Sequence, residues 1–156
     1  MGHLKIIQIS NKPVGKDEYI DCYDIQDSPE VSLRCDYYGE ELDRKEALPS
    51  IKEMMKGFAD VNEKTGKVVF KNREEVKRMY AEHIRKVTDK ALDRISDNAC
   101  GFYDISSDLE EFQGIKSLFY KGDKGYAMTA SYLIGEYLNG WIPQKVYIGG
   151  VLDGHY

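Results

Sequence analysis

The sequence has few of the residues that build disulfide frameworks or membrane spans. It contains three cysteines, and no apolar run approaches the roughly twenty residues of a membrane helix. Cys22, Cys35 and Cys100 are odd in number and widely spaced, which argues against a disulfide framework and against a four-ligand zinc site. The opening residues MGHLKIIQIS are too short and too polar for a signal peptide. We therefore expect reduced thiols and a cytoplasmic protein.

Motifs for catalysis and cofactor binding are also lacking. The glycines at 122 and 125 are not followed by the Lys and hydroxyl residue of a phosphate-binding loop. His3, His83 and His155 are far apart in the sequence, so a metal site would require the fold to bring them together. We predict no cofactor and no metal. An enzymatic alternative stays open, with Cys100 and His155 as nucleophile and base, or with a pair of carboxylates.

Negative charge is concentrated in one segment. Residues 17–46 contain eleven acidic and three basic side chains, so this segment carries −8 while the whole chain carries −5. Four tyrosines lie in the same segment, and a tyrosine ring can pack against a partner while its hydroxyl remains hydrogen-bonded. We predict that this acidic, tyrosine-bearing face binds a basic protein. The predicted partner-binding residues are Asp17, Tyr19, Asp21, Tyr23, Asp24, Asp27, Glu30, Tyr37, Tyr38, Glu40 and Glu41.

The pattern of apolar residues predicts a single α+β domain over residues 1–156, with a small antiparallel sheet and three to four helices. Short apolar or alternating runs favour strands. These predicted strands cover residues 4–9, 19–25, 31–37, 115–120 and 145–151, and residues 67–70 fit a strand or a linker. Glycine, proline and asparagine favour turns at 11–16 and 122–125.

Helices are predicted where apolar residues recur every three or four positions. The longest such pattern covers 73–95, with Asn72 and Glu75 at the spacing of a capping box. A second helix should begin near Leu48, because Pro49 fits best in a first turn, and should end at 62–66. Two shorter helices are predicted, one from Ser106 or Ser107 to Glu111 and one over 126–138 that stops at Asn139-Gly140.

In size, acidity and lack of catalytic motifs, the chain resembles the small acidic proteins with which phages and mobile elements inhibit bacterial nucleases. Anti-CRISPR and anti-restriction proteins are examples, and the resemblance rests mainly on the segment 17–46. These inhibitors share no single fold, so the resemblance transfers no functional residue. It implies a non-enzymatic inhibitor that binds a nucleic-acid enzyme or its ribonucleoprotein complex, such as a CRISPR effector. It also implies a bacterial or phage-infected cell.

Several other functions fit the same residues. A toxin-immunity protein belongs to the same physical class, since it too covers a basic partner. The helix at 73–95 could make the chain a nucleic-acid-binding accessory protein, but its five acids offset most of the charge of its seven bases, which favours ion pairs on a solvated face. We therefore do not expect direct binding to nucleic acid. The acidic segment could also serve only to keep the protein soluble.

Overall fold

A computed structural model describes residues 2–97, 101–122 and 125–156, and these form an α+β fold around one mixed sheet. The strands are β1 His3–Ser10, β2 Tyr37–Glu41, β3 Ala59–Val61, β4 Lys67–Phe70, β5 Leu118–Lys121, β6 Tyr126–Met128 and β7 Lys145–His155. The helices are α1 Cys22–Ile25, α2 Pro29–Arg34, α3 Arg44–Met55, α4 Arg73–Asp97, α5 Gly101–Glu110 and α6 Ala130–Leu138. The α+β prediction is confirmed. The sheet is mixed rather than wholly antiparallel, because β1 and β5 run parallel.

Strand β7 organises the sheet, whose order is β3-β4-β7-β1-β5-β6. Along one side, β7 pairs antiparallel with β1 from one end to the other. Along its other side, β7 pairs with β4 near its start and with β2 near its end. Strands β4 and β2 therefore lie one after the other along the same side of β7.

Two buried apolar clusters attach helices to the two faces of the sheet. The larger cluster contains Ile7 of β1 together with Ile51 of α3 and Ile134 of α6. The smaller cluster contains Ile6 of β1 and Ile25 of α1. Ile6 and Ile7 belong to different clusters because successive side chains of a strand point to opposite faces. Each fully buried aliphatic side chain of this size stabilises the fold by about 1.5–3 kcal/mol.

The predicted strands at 19–25 and 31–37 are wrong, because both segments form short helices. The Asp21 carboxylate caps α1 by accepting two backbone N–H bonds, at 2.8 and 3.2 Å. Pro29 occupies the first helical positions of α2, where its missing N–H costs nothing. The cap at Asp21 and the first-turn proline of α2 therefore outweigh the weak alternation of apolar residues that suggested strands.

Other boundaries also differ from the predictions. Helix α3 begins at Arg44 rather than near Leu48 and holds Pro49 inside it. The helix ends at Met55 rather than at 62–66, and residues 59–61, which were predicted to be helical, form β3. The predicted helix at 126–138 is divided into β6 and α6, because Thr129 caps α6 through its hydroxyl. Helix α5 begins before the predicted serine caps.

The remaining elements agree with the sequence. Strands β1, β4, β5 and β7 cover the predicted runs, although β5 begins at Leu118 and β7 continues to His155. Helix α4 covers 73–95, and the Asn72 side chain accepts the N–H of Glu75 at 2.9 Å. Gly140 follows α6 with a φ of 75°, as expected for the residue after a helix. Residues 123–124 of the predicted turn lie outside the described residues.

Gln8 attaches the segment before α1 to the centre of the sheet. Its Oε1 accepts the N–H of Gly150 at 2.8 Å and that of Ile20 at 3.0 Å, and its Nε2 donates to the carbonyl of Glu18 at 3.1 Å. The register of β1 and β7 shifts beside Gly150, so the sheet ladder is interrupted there. The buried amide of Gln8 therefore replaces a missing ladder bond.

We expect Gln8→Leu to lower the free energy of unfolding by about 2–4 kcal/mol, because two buried N–H groups lose their acceptor. Chemical denaturation followed by circular dichroism measures this loss. Gln26→Leu is the matched control, since Gln26 is exposed, and should change stability by less than about 0.5 kcal/mol. Equal losses in the two variants would show that the bonds of Gln8 do not stabilise the fold.

Candidate functional site

The predicted partner-binding residues divide into an exposed and a partly buried group. The seven exposed ones, which we call the acidic surface, are Asp17, Asp21, Tyr23, Asp24, Asp27, Glu40 and Glu41. Tyr19, Glu30 and Tyr38 are half-buried. Tyr37 is the first residue of β2, and its side chain is not among those that the structure describes.

The two halves of the acidic surface, 17–27 and 40–41, meet where α1 packs on β2. Gly39 has a φ of +122°, and a Cβ built on it would lie 2.6 Å from the Cβ of Cys22 in α1. The Tyr38 hydroxyl donates to the carbonyl of Gln26 at 3.4 Å. Helix α1 and strand β2 are therefore in direct contact, with acidic residues on both.

Helix α1 is hydrogen-bonded to strand β5. The Tyr120 hydroxyl donates to the backbone carbonyl of Asp24 at 3.0 Å. Burial raises the pKa of Tyr120, and the negative charge of Asp24 raises it further, so this hydroxyl stays protonated and remains a donor. This hydrogen bond holds α1 against β5 next to the exposed carboxylate of Asp24.

The carboxylates of the acidic surface have no ion pairs within the part of the chain that the structure describes. Glu30 differs from them, because Arg34 contacts it at 3.3 Å and also contacts Glu110. Two large apolar side chains in the same segment are exposed, Tyr23 at 75% and Leu33 at 79%. The region therefore offers both charge and apolar area to another molecule.

Helix α4, unlike the acidic surface, carries charged side chains that form ion pairs. Lys71 lies 3.6 Å from Glu75, and Asp108 of α5 lies 3.9 Å from Lys90 and 3.4 Å from Arg94. These contacts are of the kind expected for a solvated face of mixed charge.

A cleft of about 480 Å³ opens beside the acidic surface, where β2 and β4 leave a gap along β7. The Arg44 guanidinium donates to the carbonyls of Ile148 and Thr65 at 2.8 and 3.1 Å, and lies 5.7 Å from the ring centroid of Tyr19. Charged residues of both signs line this cleft, namely Lys16, Lys45, Lys64, Glu41, Asp43 and Glu63. Arg44 therefore bonds the edge of β7 at the place where neither strand reaches it.

The fold brings together two of the three histidines. His3 and His155 are directly opposite each other on β1 and β7, and their ring centroids are 4.3 Å apart. Asp153 contacts both rings, so these three residues could hold a metal ion. The spacing Asp153-x-His155 could have indicated this cluster, but the predicted final strand stopped at Val151.

The other residues of the catalytic alternatives are placed elsewhere. His83 lies on α4, where its ring centroid is 5.4 Å from that of Phe112. Burial lowers the pKa of His83, although Asp108 partly opposes this effect. Cys100 lies outside the described residues, so its predicted pairing with His155 stays a prediction. Cys22 and Cys35 are free thiols, and burial raises the pKa of Cys35.

Comparison with known proteins finds no matching protein family, no matching curated protein and no matching solved structure. Among the helices of the described residues, none combines the length and hydrophobicity needed to cross a membrane.

We expect Gly39→Ala to destabilise the protein by about 2–4 kcal/mol and to displace α1 from β2, since the new Cβ meets Cys22 at an unfavourable φ. Denaturation measures the loss, and hydrogen exchange of α1 measures the displacement. Gly135→Ala is the control, because Gly135 is helical and has open space around it, so this variant should be as stable as the native chain or slightly more so. Unchanged stability and exchange in Gly39→Ala would contradict this packing.

Proposed function

We propose that the protein is a non-enzymatic inhibitor that binds a basic protein through its acidic surface. The partner that fits this surface best is a nucleic-acid enzyme, and in particular a bacterial defence nuclease such as a CRISPR effector. The observation that carries the proposal is the group of exposed carboxylates that form no ion pair within the described residues and share the segment 17–46 with the exposed ring of Tyr23. A nuclease is a suitable partner because its DNA groove is lined with Lys and Arg that normally neutralise phosphates.

Charge and apolar area would act at different stages of binding. Carboxylates facing a basic groove raise the association rate and discriminate against partners of the wrong charge. Tyr23 and Leu33 would supply contacts that exclude water, and aromatic residues often contribute most of the binding energy at such interfaces. The complex should therefore form faster at low salt, while its lifetime should depend more on the apolar contacts.

The carboxylates are not equally suited to testing this proposal. The side chains of Asp21 and Asp24 accept backbone N–H bonds at the start of α1, so replacing them would also disturb the helix. Asp27, Glu40 and Glu41 are exposed and form no side-chain hydrogen bond or ion pair within the described ranges. These three can be reversed in charge with little effect on folding.

We expect the triple variant Asp27→Lys, Glu40→Lys, Glu41→Lys to weaken binding to the partner by at least about tenfold at low salt. Purified CRISPR effectors, restriction nucleases and nuclease toxins are assayed for DNA cleavage with and without the protein. The affinity for the inhibited nuclease is then measured over a salt series. The native complex should weaken as salt rises, and the variant should respond much less.

The matched control reverses three exposed acids elsewhere, Asp60→Lys, Glu74→Lys and Glu82→Lys, and so changes the net charge equally. This control should keep most of the affinity if location matters more than total charge. Equal loss in the two triple variants would contradict a defined acidic surface. Failure to inhibit any nuclease of the panel would contradict the proposed function, and selective inhibition of a nuclease toxin would identify an immunity protein.

We expect Tyr23→Ala to weaken the same complex by about tenfold or more, mainly through faster dissociation, because the lost contact is apolar. Surface plasmon resonance separates the two rate constants. The matched control is Tyr132→Ala, since Tyr132 on α6 is also an exposed tyrosine, at 52%. If both variants bind like the native chain, Tyr23 is not part of the interface.

A further inference from the structure

The ends of β1 and β7 place three metal-binding side chains on one face of the sheet. His3 and His155 form a directly opposed pair across the antiparallel ladder. Asp153 precedes His155 by two residues on β7, and residues two apart in a strand share a face. Cross-strand pairing and the alternation of side chains therefore bring His3 close to Asp153 and His155, which are 150 and 152 positions away in the sequence.

The distances are close to those of a coordination sphere. The Oδ2 atom of Asp153 lies 2.9 Å from Nδ1 of His3 and 2.9 Å from Nε2 of His155. One nitrogen or oxygen from each residue lies within 4.8 Å of the others. Ligands at the 2.0–2.1 Å typical of zinc are roughly 3.3 Å apart in a tetrahedron, so only small side-chain movements would admit the ion.

We propose that His3, Asp153 and His155 form a site for a divalent transition-metal ion, with zinc as the best match. Two imidazoles and one carboxylate are a ligand set suited to zinc, whereas magnesium prefers oxygen ligands. Three protein ligands leave a fourth position for water or for a group from another molecule. The proposal does not depend on the function assigned to the acidic surface.

One of the three proposed ligands is accessible to solvent and the other two are largely buried. The His3 side chain is 57% exposed, so an ion can enter from solvent beside it. Those of Asp153 and His155 are only 13% and 22% exposed, and the strand backbone fixes their positions. Lys5 is opposite Asp153 on β1, yet the ion pairs recorded for Asp153 in the described residues are with the two histidines.

A bound ion would also join β1 and β7 at the end where β2 pairs with β7. Strand β2 pairs with this end of β7, where Tyr37 is opposite His155 and Glu40 is opposite Asp153. An ion held by β1 and β7 would stabilise the ladder to which β2 is bonded. Zinc should therefore raise the melting temperature of the native chain, since a ligand that binds only the folded state stabilises it.

The test uses the untagged full chain, stripped of metal by a chelator and then titrated with zinc in a calorimeter. We expect one zinc ion per chain, and at least about tenfold weaker binding in each of His3→Asn, Asp153→Asn and His155→Asn. His83→Asn removes a histidine outside the cluster and should bind zinc like the native chain. Zinc should raise the melting temperature of the native chain and of His83→Asn, and magnesium should not.

The stability of each metal-free variant, measured by unfolding, shows whether a loss of zinc affinity comes from the missing ligand or from a disturbed fold. His3→Asn is the most informative variant because His3 is exposed, so its replacement should disturb the fold least. If His3→Asn folds normally and has lost zinc affinity, the site is supported. The proposal is overturned if the native chain shows no saturable zinc binding. It is also overturned if the double variant His3→Asn, Asp153→Asn folds and binds zinc as tightly as the native chain, because the ion then sits elsewhere.

Discussion

The arrangement of the acidic surface depends on the buried amide of Gln8. Its oxygen accepts N–H bonds from Gly150 in β7 and from Ile20 before α1, which ties a chain segment that has no strand of its own to the centre of the sheet. Hydrogen bonds of this kind gain strength in a low-dielectric interior, and unpaired groups there are costly. The close approach requires glycine, because a Cβ at Gly149 would lie 2.3 Å from Oε1 of Gln8.

The smaller apolar cluster links this attachment to the charged residues. Helices α1 and α2 each bury one apolar residue, Ile25 and Val31, against the sheet. Short helices with one buried residue leave most of their surface to polar groups, so the acids of this segment are exposed. Contacts from β2 and from Tyr120 then position α1. A modest core is thus sufficient to present many carboxylates in a defined arrangement.

Prediction from the sequence succeeded for elements in which apolar residues recur at a regular spacing. It failed where helix caps or pairing between distant strands decide the structure. Helix α4 and strand β1 follow directly from their apolar spacing. Helices α1 and α2 are too short to show a helical period, and β6 is too short to be separated from the helix that follows it. Exposure of the acids could be predicted from their charge. The approach of His3 to His155 could not, because it arises from pairing between distant strands.

Strands β4 and β2 share one side of β7, and Arg44 bonds the edge between them. Within the described residues, β2 pairs with β7 and with no further strand, whereas β7 also pairs with β1 and β4. Release of β2 therefore breaks a single ladder and leaves the central strands joined. Native proteins open in such units at free energies below that of global unfolding. We therefore expect Glu40 and Glu41, which β2 carries, to separate from the sheet at a lower free energy than the one that opens the larger core.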